Sequence, residues 1–254
     1  MIAKTDAILL RTFPFSETSL VGAWLTRDYG RVHTMAKGAQ RPKSPFLGQL
    51  DMFYTCEILF YEKQSHHLHI LKECAAEKTR PRFREDWRAC AAASYLTDLL
   101  YRISPSQAHH AGLFAVLDRA LDMMDTRGWS PPALGWVELH LLSVLGIAPR
   151  LRHCAHCNKE RTTNGQTLSF CVERGGVICP TCAKQEPGRI TTMSPDVLAI
   201  LTAWQRAKSI RVLDRTQTTQ KQLDPIYAIL GRFIQYHLEV DLKSRAIALD
   251  IVRR

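Results

Sequence analysis

Four cysteines carry the strongest chemical signal in the chain. Cys154 and Cys157 form one Cys-x-x-Cys pair, Cys179 and Cys182 a second, and 21 residues lie between the pairs. Such a turn aims two sulfurs at a common centre roughly 2.3 Å away, and two turns complete the tetrahedral shell that Zn²⁺ favours. The spacing predicts one structural zinc ion on Cys154, Cys157, Cys179 and Cys182. Four thiolates leave no open position for a water nucleophile, so the centre is a staple and not a catalyst. Asn158, which tolerates positive φ, follows the first pair, and Gly175-Gly176 before the second suits a tight hairpin. Cys171 adds a further thiol inside the segment, and His153 and His156 flank the first pair.

Two enzymatic readings of these cysteines fail on context. A redox dithiol follows a strand early in a βαβ unit, whereas Cys179-Pro180-Thr181-Cys182 sits mid-chain with a partner pair upstream. Zinc deaminases place His-x-Glu before Pro-Cys-x-x-Cys; here His237-Leu238-Glu239 comes after, and Ile178 stands where proline belongs. Phosphate-binding Gly-Lys-Ser/Thr loops, Gly-x-Ser-x-Gly elbows and His-Glu-x-x-His motifs are missing, which argues against a nuclease or NTPase. His66, His67 and His69 read as solvated or nucleic-acid-facing, with His67 and His69 on one strand face at the barrel exterior; His109-His110 read as surface. Cys56, Cys74 and Cys90, isolated among apolar neighbours, read as small core residues.

Charge suggests the partner. The 254 residues hold 34 Lys and Arg against 24 Asp and Glu, a net of +10. Residues 1–84 hold 13 against 8, residues 85–149 hold 4 against 7, and residues 150–254 hold 17 against 9. A basic–acidic–basic chain fits a surface that attracts a polyanion through its two ends. With 46% hydrophobic residues, disorder as the overall state is excluded. No apolar run is long enough for a membrane span, and the N-terminal apolar stretch is too short for a secretion signal, so a cytoplasmic location is expected.

The elements that must hold these groups come in three blocks. Strands are expected at 4–13, 18–27, 31–37, 50–61 and 67–74, with a hairpin turn at Asp28-Tyr29-Gly30. Val32, Thr34 and Ala36 alternate against Arg31, His33 and Met35. Five short strands in about 75 residues favour a closed barrel, because closure removes unpaired edges. Between the third and fourth strands, Lys37 to Pro45 carries three positive charges and no negative one, and its Pro and Gly residues forbid regular structure. Helical spacing begins at Glu85 and predicts helices at 85–103, 107–126 and 132–146. A further helix is expected from Pro195 with Ser194 as N-cap, and the last long one from Asp224-Pro225. The fold class is α+β and multidomain: a five-stranded barrel at 1–80, an α-helical domain at 81–254, and a zinc-binding insertion at 150–190.

Several motifs together resemble the RecO family of bacterial DNA repair proteins across nearly the whole chain. They are Ala7-Ile8-Leu9-Leu10-Arg11, Ser16-Glu17-Thr18-Ser19, Tyr29-Gly30-Arg31, the Lys37 to Ser44 loop, and the cysteine segment with Phe170 and Gly175-Gly176. Departures are Gln40 in place of a second arginine, Asn158 in place of glycine, and the extra Cys171. The resemblance implies an OB-fold barrel that binds single- and double-stranded DNA and promotes annealing. It also implies help to the recombinase RecA in displacing single-strand binding protein, together with the partner RecR, in a nucleoid-associated and non-enzymatic role. On this reading Lys37, Arg41 and Lys43 contact phosphates, with Arg27 and Arg31 as further candidates; Phe46 and Tyr54 are candidates to stack on bases, against which a barrel of this size needs most of its aromatics inside. Arg206, Lys208, Arg211 and Arg215 are candidates for the acidic tail of single-strand binding protein. The competing reading is a zinc-containing adaptor that docks repair partners, with DNA contact incidental.

Overall fold

The structure is a computed structural model that describes residues 2–62, 68–104, 111–160, 168–186, 188, 190–241 and 243–253. His66, His67, His109 and His110 lie outside the described residues. Strands β1 (Ile2–Pro14), β2 (Leu20–Thr26), β3 (Arg31–Ala36), β4 (Thr55–Tyr61) and β5 (Leu68–Lys78) close into a barrel in the order β1-β2-β3-β5-β4. All neighbours are antiparallel except β3 and β5, which run parallel and seal the barrel through Thr34 opposite His69. Ala7, Leu9, Trp24, Val32, Ala36, Cys56, Ile58, Phe60 and Leu71 fill the interior. The Trp24 indole N–H, buried among them, donates to Thr34 Oγ1 at 2.8 Å, so the one polar atom of the largest core side chain is satisfied.

Val32, Thr34 and Ala36 all face inward, as alternation requires. Along β1 the alternation fails: Ala7, Ile8, Leu9 and Leu10 are buried in succession. Ala7 and Leu9 belong to the barrel interior, while α1 (Trp87–Ile103) and α2 (Ala111–Arg127) pack against the outside of the same strand. His69 also departs from expectation. It is 2% exposed and points inward on the same face as Leu71, with its ring centroid 5.2 Å from that of Phe60. The exterior assignment fails because pairing with β3, distant in sequence, sets the strand's register.

Two compact units result: Met1–Trp129 with Leu242–Arg254, and Ser130–Asp241. The first joins α1 and α2 to the barrel, and α8 (Lys243–Arg253) packs on α1, where Ser244 Oγ donates to Asp98 Oδ2 at 2.7 Å. Asp86 caps α1 by accepting from the Arg88 and Ala89 amides at 3.0 and 3.1 Å. The second unit holds α3 (Pro131–Val144), a sheet ordered β7-β6-β8, α5 (Pro195–Arg206), a short α6 (Arg211–Arg215) and α7 (Gln220–Leu238). The sheet strands are β6 (Leu168–Cys171), β7 (Gly176–Ile178) and β8 (Ile190–Met193), and α4 (Pro180–Ala183) is one turn. Helix α7 starts five residues before Pro225, because Thr219 and Gln222 form a capping box with the Thr219 N–H donating to Gln222 Oε1 at 2.9 Å. Ser194 does occupy the N-cap of α5, but its side chain makes no capping bond to the backbone.

A buried ion network fastens α2 to the barrel. Arg80, with a 2% exposed side chain, donates Nε to Asp122 Oδ1 at 2.8 Å, Nη2 to Asp118 Oδ1 at 2.5 Å and Nη1 to the Phe53 carbonyl at 2.5 Å. Thr55 Oγ1 donates to Asp118 at 2.8 Å, and Lys78 Nζ reaches Asp118 and Asp122 at 2.6 and 2.7 Å. Burial works to raise the Asp118 pKa, but Lys78, Thr55 and Arg80 outweigh it and hold the carboxyl below its ordinary 3.8. Its stabilisation is therefore complete above the unfolded carboxylate range and is lost as pH falls through the depressed native value. Asp118→Asn should cost about 3 kcal/mol in denaturant titration at pH 7, since it leaves Arg80 short of a buried partner. The gap to the parent should close in acid, and a constant gap down to about pH 2 would contradict this assignment.

Candidate metal centre and nucleic-acid interface

The cysteine centre is assembled by backbone turns. Asn158 N–H donates to the Cys154 carbonyl at 2.9 Å and closes the first turn, and Asn158 adopts the positive φ of 57° that its side chain tolerates. Cys179 precedes α4 and Cys182 lies within it. The four Sγ atoms all lie within 4.8 Å of one another, and Cys157 and Cys179 are 3.9 Å apart. Tetrahedral thiolates on one zinc would stand about 3.8 Å apart, so the four sulfurs fit a single ion. Burial works to raise the Cys154 pKa, yet the amides of Cys157, Cys179 and His156 outweigh it and bring the thiol to about 6. That favours the thiolate a metal requires. Cys182 is pushed up to about 12, first by its thiol neighbour Cys179 and then by burial.

The surrounding segment explains the paired glycines. Arg150 lies beside β7, with its N–H donating to the Gly175 carbonyl and its carbonyl accepting from Val177 N–H, both at 2.9 Å. A Cβ on Gly176 would stand 2.3 Å from the Arg150 carbonyl oxygen, so close backbone approach demands glycine there. Cys171 is fully buried and 3.3 Å from Glu173 Oε2, outside the four-sulfur group. His156 instead pairs with Glu186 at 3.5 Å, which Arg174 also holds at 2.9 Å.

The cationic loop has its own anchors. Ala39 and Phe46 insert into the barrel core, which leaves Lys37, Arg41 and Lys43 exposed between and beside them. Gly38 takes φ +65°, and its N–H donates to Ser19 Oγ at 3.1 Å. Three charges are thus presented on a braced loop. Arg27 and Arg31 are differently employed. Arg27 pairs with Asp6 at 2.6 Å and lies over the Phe114 ring, while Arg31 lies 5.0 Å over the Tyr101 ring and donates to the Tyr101 carbonyl. Both join the barrel to its helices. Phe46 and Tyr54 are 6% and 5% exposed, so neither has a free face for a base. Arg11 is exposed with its guanidinium 5.3 Å over Phe13. It escaped sequence reasoning because strict alternation from Ala7 and Leu9 turns position 11 inward, and only the register shift between Leu9 and Arg11 sets it outside.

In the second unit, Arg206, Lys208, Arg211 and Arg215 are all exposed. Ala207, Lys208, Ser209, Arg211, Val212 and Arg215 line one shallow cavity, with Arg206 adjacent in the last turn of α5. His140 holds the lining residue Ala207, with ring nitrogens 2.8 Å from the carbonyls of Trp136 and Ala207.

A closed five-stranded barrel of this order, followed in one chain by helices and a four-cysteine centre, defines a multidomain OB-fold protein. Comparison with known proteins narrows that class. Residues 1–80 match the family described as Recombination protein O N terminal, and residues 84–246 match Recombination protein O C terminal. The chain belongs to the RecO family of DNA repair proteins. It is 34% identical to the DNA repair protein RecO of Rhodopirellula baltica over 77% of this chain and 72% of that one. The RecO of Syntrophus aciditrophicus is 28% identical, covering 99% and 96%, and that of Bacillus subtilis 27%, covering 89% and 88%.

Metal removal should act mainly on the second unit, because metal binding contributes folding free energy. A chelator is expected to lower its melting temperature, and Cys154→Ser should abolish the response. A melting curve indifferent to chelation would show the centre to be structurally idle. Gly176→Ala should destabilise the same unit by about 2 kcal/mol or more in denaturant titration, through the backbone clash.

Proposed function

We propose that this chain is a non-enzymatic DNA-binding mediator of recombinational repair. The OB-fold part at 1–80 grips single- and double-stranded DNA, and the helical part at 81–254, with its 150–190 insertion stapled by one zinc ion, carries partner contacts. The observation that supports this best is the braced loop holding Lys37, Arg41 and Lys43 out to solvent with no acidic residue among them. Exposed cations on a fixed frame neutralise phosphates at little ordering cost, and released counterions supply the free energy. Arg27 and Arg31 act beside them chiefly by holding barrel and helices together.

Annealing follows from the same chemistry, since neutralised phosphates let complementary strands approach. The proposed role extends to cooperation with RecR and to helping load RecA onto strands coated by single-strand binding protein, and membership of the RecO family supports that reading. The acidic tail of that protein would seat in the cavity at Lys208, Arg211 and Arg215, where cations meet the apolar edge of Val212. A protein with these proposed activities would work in the cytoplasm at the nucleoid.

Single-strand affinity should fall steeply with salt in fluorescence anisotropy. The triple variant K37A/R41A/K43A should reduce the slope of log affinity on log salt by about 2, at roughly 0.7 per phosphate contact. An unchanged slope would remove the loop from the interface and favour the adaptor reading. Arg211→Ala with Arg215→Ala should weaken an acidic peptide ending in aromatic residues roughly tenfold in titration calorimetry, two exposed ion pairs being worth that much.

A further inference from the structure

We infer that Phe15 is a stacking platform for an unpaired nucleobase, set beside the cationic loop so that this face of the barrel holds single strands more tightly than duplex. The inference rests on the reading of Lys37, Arg41 and Lys43 as phosphate contacts, and it adds the group that distinguishes one strand from two.

Phe15 is 57% exposed, whereas Trp24, Phe46, Tyr54 and Phe60 of the same barrel are at most 6% exposed. It sits in the connection between β1 and β2, where the Phe15 and Ser16 amides both donate to the Ser19 carbonyl, at 2.9 and 3.2 Å. That connection is tied to the cationic loop. Gln40 N–H donates to the Thr18 carbonyl at 2.9 Å, and Gly38 N–H donates to Ser19 Oγ at 3.1 Å. Lys37 and Arg41 bracket these two donors in sequence, so the ring and the cations share one braced frame. Phe13, two residues earlier, already has its ring engaged by Arg11 at 5.3 Å and by Tyr101 at 6.1 Å. Among the described residues, no aromatic or cationic group covers the Phe15 ring in this way.

Every base offers a π-face, so a platform of this kind is tolerant of sequence. A duplex keeps its bases stacked inside and has none to offer without unstacking, so only a single strand can engage the ring and the cations together. The basic loop supplies affinity for either form, and Phe15 supplies the difference.

The test compares the full chain with F15A, F15L and F15W on oligothymidine and on a mixed-sequence duplex, by anisotropy over a salt series. F15A should bind oligothymidine about tenfold more weakly, the size of one lost base–aromatic stack, and bind duplex within twofold of the parent. Its salt slope should not change, because no phosphate contact is removed. F15W should restore affinity while F15L, apolar but without a ring, should not. Parent-like oligothymidine binding by F15A, or equal binding by F15L and F15W, would overturn the platform. If F15A is silent while K37A/R41A/K43A flattens the slope, stacking falls and the loop reading survives. If the triple variant keeps its slope while F15A loses affinity, the loop reading falls and the platform stands.

Discussion

The barrel unit depends on one guanidinium. Arg80 leaves the end of β5 in a left-handed conformation, φ 47°, and its side chain is driven into the seam between barrel and helices. A buried cation is tolerable only with full compensation, and Asp118, Asp122 and the Phe53 carbonyl supply it from two sides. Because those acceptors come from α2 and from the segment before β4, satisfying Arg80 sets where α2 crosses the barrel. A Leu–Leu contact would hold the same elements together but tolerate sliding. An ion pair with fixed hydrogen-bond directions does not.

That fixed seam has electrical consequences. Three of the seven acidic residues of 85–149 are spent on it: Asp118 and Asp122 face Arg80 and Lys78, and Asp125 accepts from the Arg82 amide at 3.0 Å. Those three carboxylates are thereby drawn to the side of the barrel where α2 lies. The Lys37–Lys43 loop, pinned through Ala39 and Phe46, carries no compensating acid of its own. A polyanion meeting this unit finds its cations unneutralised at the loop and neutralised at the seam.

The second unit solves a different problem. Residues 150–190 contain few apolar side chains, and the group around the sulfurs is small: Cys154, Cys171, Ile178 and Cys182, with Ala155, Cys157, Cys179 and Ala183 against it. A cluster this small offers little core of its own, and the four cysteines are placed so that they could hold one metal ion in its stead. The hairpin is then moored to α7, where His237 Nε2 lies 2.8 Å from the Val172 carbonyl and Phe233 packs on Phe170.

What could be read from the chain alone was whatever depends on near neighbours. Two Cys-x-x-Cys turns, the Val32-Thr34-Ala36 alternation, the Gly30 hairpin and the helical stripes are set by spacing of a few residues, and spacing is visible in a string of letters. The run Lys37 to Ser44 was legible as a cationic loop for the same reason. What spacing could not reveal was which side chains meet across long separations. His69 turned inward because β3 closes on β5; Arg31 found Tyr101, 70 positions away; Phe46 became an anchor and left Phe15 outside. Barrel closure and helix docking are collective outcomes of burial and register, and no residue's own identity carries them. The sequence determined which thiols stand at metal-ligand spacing and which cations crowd one loop. Only the tertiary structure decided which charges are already neutralised and which remain for a partner.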